Sequence, residues 1–240
     1  EEAEIGILAD DIVEESMNKR SGIILPHHDL AWELIETAWQ KGLQSEPDLI
    51  VLIGPDHPGL AAHPLIWTEE TNALLQVSIS PLAAAWIEKG LGQAAVAADH
   101  SIETPLKVFL KMDKEIPVLA LTVPRGMDQE MVDQTVRAIQ ELEGNCLLVG
   151  SVDFSHNRTS QESKGKDQES WIWIQNREIE AIRNADNEYF DSPETIEILL
   201  SCLDGDPEQI IRSDSSAFGW SESLPGTSYQ VISLNPAENS

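Results

Sequence analysis

Short aliphatic runs alternate along this chain with segments of helical periodicity. Leu49–Ile53 and Cys146–Ser151 are almost continuously apolar, which is typical of strands buried on both faces of a parallel sheet. In Leu30–Lys41, Ser101–Lys111 and Met127–Leu142, the apolar residues recur at helical spacing instead. This alternation predicts an α/β fold with a mainly parallel or mixed sheet flanked by helices.

Other segments extend the pattern. Further strands are predicted at Ser21–Leu25, Leu65–Thr68, Leu74–Ile79, Pro117–Val123, Gln209–Ser213 and Tyr229–Leu234, and further helices at Ser80–Lys89, Trp171–Ala185 and Ser192–Leu203. Ser192 is the predicted N-cap of the last helix, with Pro193 in its first position. The polar stretches 158–167 and 219–227 are predicted surface loops. We expect a single domain over residues 1–240, with its core at about 21–234.

The charge balance limits the partners. The chain has 42 acidic and 15 basic residues, a net charge of -27, so we expect no nucleic-acid partner. No segment approaches the ~18 consecutive apolar residues of a membrane helix, so we expect no membrane insertion. We expect a cytoplasmic protein, although the start at Glu1 leaves open a removed leader or anchor upstream. Cys146 and Cys202 form no disulfide framework and are predicted to be core residues.

Histidine is concentrated in four short stretches, which hold five of the six histidines. They are Pro26-His27-His28, Gly54-Pro55-Asp56-His57, Asp99-His100-Ser101-Ile102-Glu103 and Asp153-Phe154-Ser155-His156. Three of the stretches follow apolar runs. Because ligands collect where the parallel strands of an open α/β sheet end, these side chains are predicted to share one metal-binding or acid–base site.

His27 and His57 each follow a buried strand through a proline. Two imidazoles at adjacent strand ends are typical of a zinc, iron or copper site, so both are candidate metal ligands. The alternatives are a helix-capping role for His27 and a simple turn position for His57.

The other two stretches offer acid–base groups. Asp153 lies three residues before His156, and a carboxylate that accepts an imidazole N–H orients the ring and raises its basicity; the alternative is an ion pair in a loop. Capping by Asp99 or Ser101, with Glu103 in the first helical turn, explains much of the stretch around His100. His100 is not needed for capping.

The four motifs, in this order and at this spacing, resemble the Memo family, whose bacterial and archaeal members are called AmmeMemoRadiSam system protein B. Members run strand–Pro-His, strand–Gly-Pro-x-His, Glu-His-Ser-Ile-Glu and Ser-x-Asp-Phe-x-His. The likeness covers about residues 21–234. The resemblance implies the fold of the class III extradiol dioxygenases, which bind non-haem iron(II) through two histidines and one carboxylate.

By this resemblance, His27 and His57 are expected to bind a metal and His156 to act as acid or base, with Asp153, His100 and Glu103 as further catalytic candidates. Family members commonly supply a cysteine in Cys-Gly-x-x-Pro at the start of a late helix. This chain reads Phe190-Asp191-Ser192-Pro193-Glu194-Thr195 there, so Asp191 is the expected third ligand. The alternative is that Asp191 only favours the helix N-terminus.

The resemblance also implies a function. Iron(II) is the expected metal, with copper or zinc as alternatives, in a redox or dioxygenase-like reaction on an unidentified small molecule or peptide. His28 and Asp29 stand where the family has Ala-Gly, which is expected to crowd the pocket. Two other functions stay open: a non-catalytic peptide- or phospholigand-binding module in the same pocket, and a zinc-dependent hydrolase.

Overall fold

The computed structural model describes residues 19–59, 61–67, 92–93 and 99–235. The strands are β1 (Arg20–Leu25), β2 (Leu49–Pro55), β3 (Leu65–Ile66), β4 (Gly92–Gln93), β5 (Val118–Val123), β6 (Cys146–Ser151), β7 (His156–Arg158), β8 (Pro207–Asp214) and β9 (Gly226–Leu234). The helices are α1 (Trp32–Gly42), α2 (His100–Leu110), α3 (Gln129–Gln140), α4 (Ser160–Gln175), α5 (Ile179–Arg183) and α6 (Pro193–Cys202). Single 3-10 turns lie at Asp29–Ala31, Leu43–Ser45 and Ser215–Phe218.

The strands form one open mixed sheet in the order β4-β3-β5-β2-β6-β1-β9-β7, with β8 paired to β9. Its centre, β5-β2-β6-β1, is parallel. Strand β9 runs antiparallel to β1, and β7 and β8 run antiparallel to β9. The predicted α/β fold is therefore confirmed, and the parallel centre places four strand ends at one edge of the sheet.

Two hydrophobic cores lie on the two faces of the sheet. In β2, Val51 and Ile53 contribute to the core that includes residues of α3 and α6, whereas Ile50 and Leu52 contribute to the core that includes residues of α1 and α2. Burial of each such side chain stabilises the fold by about 1.5–3 kcal/mol. Burial on both faces explains why the sequence of β2 is apolar without alternation.

The prediction of a loop over 158–167 is wrong, because α4 begins at Ser160. Thr159 and Glu162 form a capping box that fixes the start of the helix. The buried face of α4 is built mainly from small or charged residues, namely Ser163, Asp167 and Ser170, and Ile174 is the only apolar residue on that face among those described. Hydrophobic periodicity is therefore weak at the start of this helix, although its buried residues recur at helical spacing.

The predicted helix over Trp171–Ala185 is two helices, since α4 ends at Gln175 and α5 begins at Ile179. Arg177, with φ of 55°, lies in the left-handed region between them and breaks the helix. The start of α6 is as predicted, with Ser192 as N-cap and Pro193 in the first turn. The predicted elements Leu74–Ile79 and Ser80–Lys89 lie outside the described residues. Over the part of the chain that is described, no helix is both long and apolar enough to cross a membrane.

Candidate metal centre

The carboxyl ends of β1, β2 and β6 each deliver one polar side chain to the same edge of the sheet. His27 follows β1, His57 follows β2 and Asp153 follows β6. The two histidines were expected at adjacent strands, but β6 lies between β1 and β2. The imidazole centroids are nevertheless 5.0 Å apart, so the two rings meet across the end of β6.

Asp191 reaches the same edge of the sheet from a later part of the sequence, just before α6. Its backbone N–H donates to the carbonyl oxygen of Asp153 at 3.1 Å, and Phe190 forms an isolated bridge with Phe154. These contacts fasten the residue before α6 to the segment after β6. The Asp191 carboxylate is only 8% exposed, and its Oδ2 lies 3.1 Å from His27 Nε2 and 3.6 Å from His57 Nε2.

The ring of His27 is held from behind by a serine. Ser151 Oγ lies 3.1 Å from His27 Nδ1 and donates its proton to the carbonyl oxygen of Ser101 at 2.5 Å. Because a hydroxyl has one proton, Ser151 accepts from His27 Nδ1–H. The neutral ring therefore presents the lone pair of Nε2 towards Asp191. The backbone of His27 is fixed as well, since its N–H donates to Asp153 Oδ1 at 2.9 Å.

His57 is held in the same way by a carboxylate. Asp99 Oδ1 accepts His57 Nδ1–H at 2.9 Å, and Asp99 Oδ2 accepts the backbone N–H of His57 at 2.9 Å. Asp99 is also the N-cap of α2, where it accepts the N–H of Ser101. One side chain therefore caps the helix and fixes the tautomer of His57, which leaves Nε2 facing Asp191.

Two nitrogen lone pairs and a carboxylate oxygen that converge in this way require a positive charge between them. Burial lowers the pKa of His57, but the hydrogen bonds to Asp191 and Asp99 outweigh it and raise the pKa to about 10. Burial also opposes protonation of His27, yet Asp153 and Asp191 raise its pKa. Burial raises the pKa of Asp191, but His27 and His57 bring it well below its usual range. The site therefore attracts cations, whether protons or a metal ion.

The distances fit a metal ion. Ligand atoms at bonds of about 2.0–2.2 Å are separated by about 2.8–3.1 Å at a right angle and by about 3.3–3.6 Å at the tetrahedral angle. The separations of 3.1 and 3.6 Å between Asp191 Oδ2 and the two Nε2 atoms fall within these ranges. With both rings neutral, neither oxygen of the buried Asp191 carboxylate has a hydrogen-bond partner among the described residues, so the group needs a ring proton or a bound cation. Two histidines and a carboxylate form the ligand set of non-haem iron(II) sites.

His100 lies on the open side of this centre. Its ring is stacked on His57 at a centroid distance of 4.1 Å, and its side chain is 56% exposed. The metal-capable side chains among the described residues form two groups that share His27: one with His57 and His100, and one with Asp153 and Asp191. The three expected ligands are therefore divided between these groups. Burial, together with the neighbouring His57 and His27, lowers the pKa of His100. Its neutral ring is therefore favoured beside His57 and His27.

The structure places Asp153 against His27 rather than against His156. Asp153 Oδ1 accepts the N–H of His27, and its Oδ2 lies 3.8 Å from His27 Nε2. His156 starts β7, and its N–H donates to the carbonyl oxygen of Asn187 at 2.9 Å. Its Nδ1 is buried with no partner among the described residues, so Asp153 does not orient His156 through that atom. His156 lies close enough to Asp191 to help lower the pKa of that carboxyl.

Glu103 and the His28-Asp29 pair make other contacts. The Glu103 carboxylate accepts from Lys107 Nζ at 2.9 Å, one turn along α2. His28 Nδ1 accepts the N–H of Leu30, and Asp29 Oδ1 accepts from Thr104 Oγ1 at 3.1 Å. None of the three belongs to the groups of metal-capable side chains found among the described residues.

Sequence reasoning assigned no role at the site to Ser151 or Asp99. Ser151 is the last residue of β6, and its hydroxyl gave no signal in a strand of small and apolar residues. Asp99 was explained as a helix cap, which it is. Its second role needs His57, 42 positions earlier, and only the tertiary structure brings the two together.

Comparison with known proteins identifies the family of the chain and a related fold. The sequence model of the family described as Memo-like protein matches residues 3–198. A MEMO1 family protein of Thermotoga petrophila is 26% identical over 189 residues, which cover 73% of this chain and 65% of that protein. The MEMO1 family protein MK0963 of Methanopyrus kandleri is 26% identical over 160 residues, which cover 61% of this chain and 56% of that protein. The chain thus spans less than two thirds of the length of these relatives.

A solved structure shows the same fold. The crystal structure of uncharacterized protein JW3007 from Escherichia coli K12 superposes with a TM-score of 0.59 at 16% identity, over 88% of this chain and 98% of that chain. At this identity the likeness concerns the fold alone. The sequence match to the family, by contrast, extends over more than half of the chain and includes all four histidine motifs. The chain belongs to the Memo-like protein family.

Proposed function

We propose that this protein is a metal-dependent enzyme that uses iron(II) for a redox or dioxygenase-like reaction on a small molecule or peptide. The observation that carries the proposal is the convergence of His27 Nε2 and His57 Nε2 on Asp191 Oδ2, at 3.1 and 3.6 Å. Ser151 and Asp99 hold the two rings with Nε2 facing inwards. This arrangement supports a facial set of three ligands.

His27, His57 and Asp191 are the residues that would hold the metal. Iron(II), when bound, supplies the one-electron chemistry that O₂ needs in order to react with an organic substrate. The ligands reach the centre from the sheet edge and from the start of α6, so the remaining side is left for substrate. The side-chain exposures of His57 (29%) and His100 (56%) support entry of the substrate from that side.

His100 and His156 are the candidate proton carriers. The lowered pKa of His100 keeps its ring neutral near pH 7, so that it can accept a proton from a substrate hydroxyl. His156 Nδ1, buried and without a hydrogen-bond partner among the described residues, is available to a substrate group that reaches it.

A zinc-dependent hydrolase is the second candidate, because two histidines and one carboxylate also hold catalytic zinc. Zinc would lower the pKa of a bound water, and His100 or His156 would take up its proton. This candidate differs from the first in one property: it needs no O₂.

Elemental analysis of anaerobically purified protein tests the proposal. We expect about one iron per chain, and we expect uptake of oxygen when candidate phenolic or peptide substrates are added to the iron-loaded protein. Zinc with anaerobic hydrolysis would favour the hydrolase. Metal-free protein that still binds peptide would favour a non-catalytic binding module.

Variants link the metal to the proposed ligands. We expect His57→Ala and Asp191→Ala to lose the metal. Two controls are expected to keep it: His63→Ala, which removes an exposed loop histidine, and the double replacement of Cys146 and Cys202 by alanine. Both free cysteines lie outside the groups of metal-capable side chains found among the described residues.

A further inference from the structure

A chain of buried polar groups connects α4 to the segment that carries Asp153 and His156. Asp167, on the buried face of α4, accepts the proton of Ser228 Oγ on its Oδ1 at 2.6 Å. Ser228 Oγ in turn lies 2.9 Å from Ser155 Oγ. All three side chains are buried, and Ser155 lies in sequence between the two site residues.

The protons in this chain have one consistent arrangement. An ionised carboxylate only accepts, so the single proton of Ser228 Oγ is used on Asp167. Ser228 therefore accepts from Ser155, although either hydroxyl of that pair could donate on distance alone. Arg212, on β8, donates from Nε to Asp167 Oδ2 at 2.7 Å, and its charge favours the ionised form of the carboxylate.

Backbone hydrogen bonds join β9 to the segment that carries Asp153 and His156. The N–H of Phe154 donates to the carbonyl oxygen of Ser228 at 3.0 Å, and the N–H of Ser228 donates to the carbonyl oxygen of Ser155 at 2.9 Å. On its other side, this segment accepts the N–H of Asp191 at the carbonyl oxygen of Asp153. The position of Asp153, Asp191 and His156 therefore depends on how firmly Ser155 is held against β9.

The stability of the fold does not explain the presence of Asp167. Burial raises the pKa of this carboxyl despite the hydrogen bond from Ser228 and the charge of Arg212, so burying the ionised carboxylate costs free energy of folding. Buried ion pairs can often be replaced by apolar groups with no loss of stability. Asp167 can instead fix the positions of the groups that it contacts.

We propose that Asp167 and Ser228 are positioning residues, which hold Asp153 and His156 in place through Ser155. The effect on metal binding rests on the proposed function. The effect on the position of the Asp153–His156 segment does not rest on the proposed function, because it can be measured in metal-free protein.

Two variants, Ser155→Ala and Ser228→Ala, remove links of the chain. Ser163→Ala is the matched control, because Ser163 is a buried serine of α4 whose hydroxyl has no hydrogen-bond partner among the described residues. Hydrogen exchange at the amides of Phe154 and His156 is measured first, in metal-free protein. We expect both link variants to exchange there about tenfold faster than the wild type and the control.

Titration with cobalt(II) as the probe is the second measurement. We expect each link variant to bind about tenfold more weakly, in the range known for groups that support metal ligands. The double variant is expected to be no weaker than the worse single variant, since both belong to one chain. The visible spectrum of bound cobalt(II) is expected to shift in the link variants and not in Ser163→Ala.

The proposal is overturned if the link variants match Ser163→Ala in amide exchange and in cobalt(II) affinity, even if they melt at a lower temperature. It is also overturned if the effects of the two single variants add in the double variant. A wild-type protein that takes up no metal would refute the proposed function instead, and amide exchange at Phe154 and His156 would still decide whether the chain positions this segment.

Discussion

The two histidines among the proposed metal ligands are each oriented by a second residue, and the two partners differ in chemistry. His57 donates to the carboxylate of Asp99, whereas His27 donates to the neutral hydroxyl of Ser151. A carboxylate partner raises the basicity of an imidazole more than a hydroxyl does, so His57 is expected to be the stronger donor to the metal.

Asp99→Asn tests this difference. The one oxygen of asparagine can still accept from His57 Nδ1–H and cap α2. The negative charge behind the ring is lost, together with the acceptor for the backbone N–H of His57. We expect the affinity for cobalt(II) to fall by about 10- to 100-fold, as measured by titration against a chelator. Asp128→Asn is the matched control, since Asp128 is the N-cap of α3 and accepts the N–H of Met131, far from the described site residues in the sequence. Equal affinities for the two variants would contradict a role for Asp99 at the metal.

The raised pKa of the ligand histidines predicts proton release on metal binding. In metal-free protein the pKa of His57 is raised from 6.5 to about 10, so its ring carries a proton at pH 7 that the metal must displace. Metal affinity is therefore expected to rise with pH between about 7 and 10. In the metal-free protein, protonated His57 stabilises the fold fully below pH 6.5, and this stabilisation is lost as pH rises through 10.

Calorimetric titration in buffers of different ionisation enthalpy measures the released protons. We expect at least one proton per metal bound at pH 7. Binding without proton release at this pH would show that the site histidines are already neutral.

At the scale of elements, the site depends on the close approach of α2 to β2. A Cβ on Gly54 would lie 2.7 Å from Ser101 Oγ and 2.9 Å from its Cβ. Ser101 forms hydrogen bonds with β2 and β6, since its Oγ donates to the carbonyl oxygen of Pro55 and its own carbonyl accepts from Ser151. Glycine at position 54 therefore lets the start of α2 bring Asp99 and His100 to the sheet edge.

Gly54→Ala is expected to destabilise the protein by about 1–3 kcal/mol and to weaken metal binding, because α2 must move away from β2. Denaturant unfolding measures the first effect. Gly165→Ala is the control: nothing lies within 4 Å of a Cβ built at this position of α4, so it is expected to stabilise the helix by about 0.5–1 kcal/mol. If Gly54→Ala were as stable as the wild type, Ser101 would be able to shift at no cost in free energy.

The elements also show how far the sequence determines the site. The strands before His27 and His57 were predictable because β1 ends in the apolar run Ile23-Ile24-Leu25 and β2 is apolar throughout. The start of α6 was predictable from Ser192 and Pro193. The start of α4 was missed because its buried face uses serine and aspartate, for which periodicity gives no signal. That β6 lies between β1 and β2 depends on sheet order, which local sequence does not specify.

At the scale of the whole molecule, the net charge of -27 acts on the folded state through self-repulsion. Salt screens such repulsion over about 10 Å at 0.1 M. We therefore expect the melting temperature to rise by several degrees between about 0.05 and about 0.5 M NaCl. The same rise with KCl would show screening rather than binding of a particular ion, and a melting temperature that is constant or falls with salt would contradict the expectation.

The central claim is that one metal ion is held jointly by His27, His57 and Asp191. The most direct measurement is anomalous diffraction at the iron edge from crystals loaded anaerobically with iron(II). We expect one strong peak at about 2.0–2.2 Å from His27 Nε2, His57 Nε2 and an Asp191 oxygen, and no such peak in crystals of Asp191→Ala. A peak bound elsewhere, or one that persists unchanged in Asp191→Ala, would contradict the account.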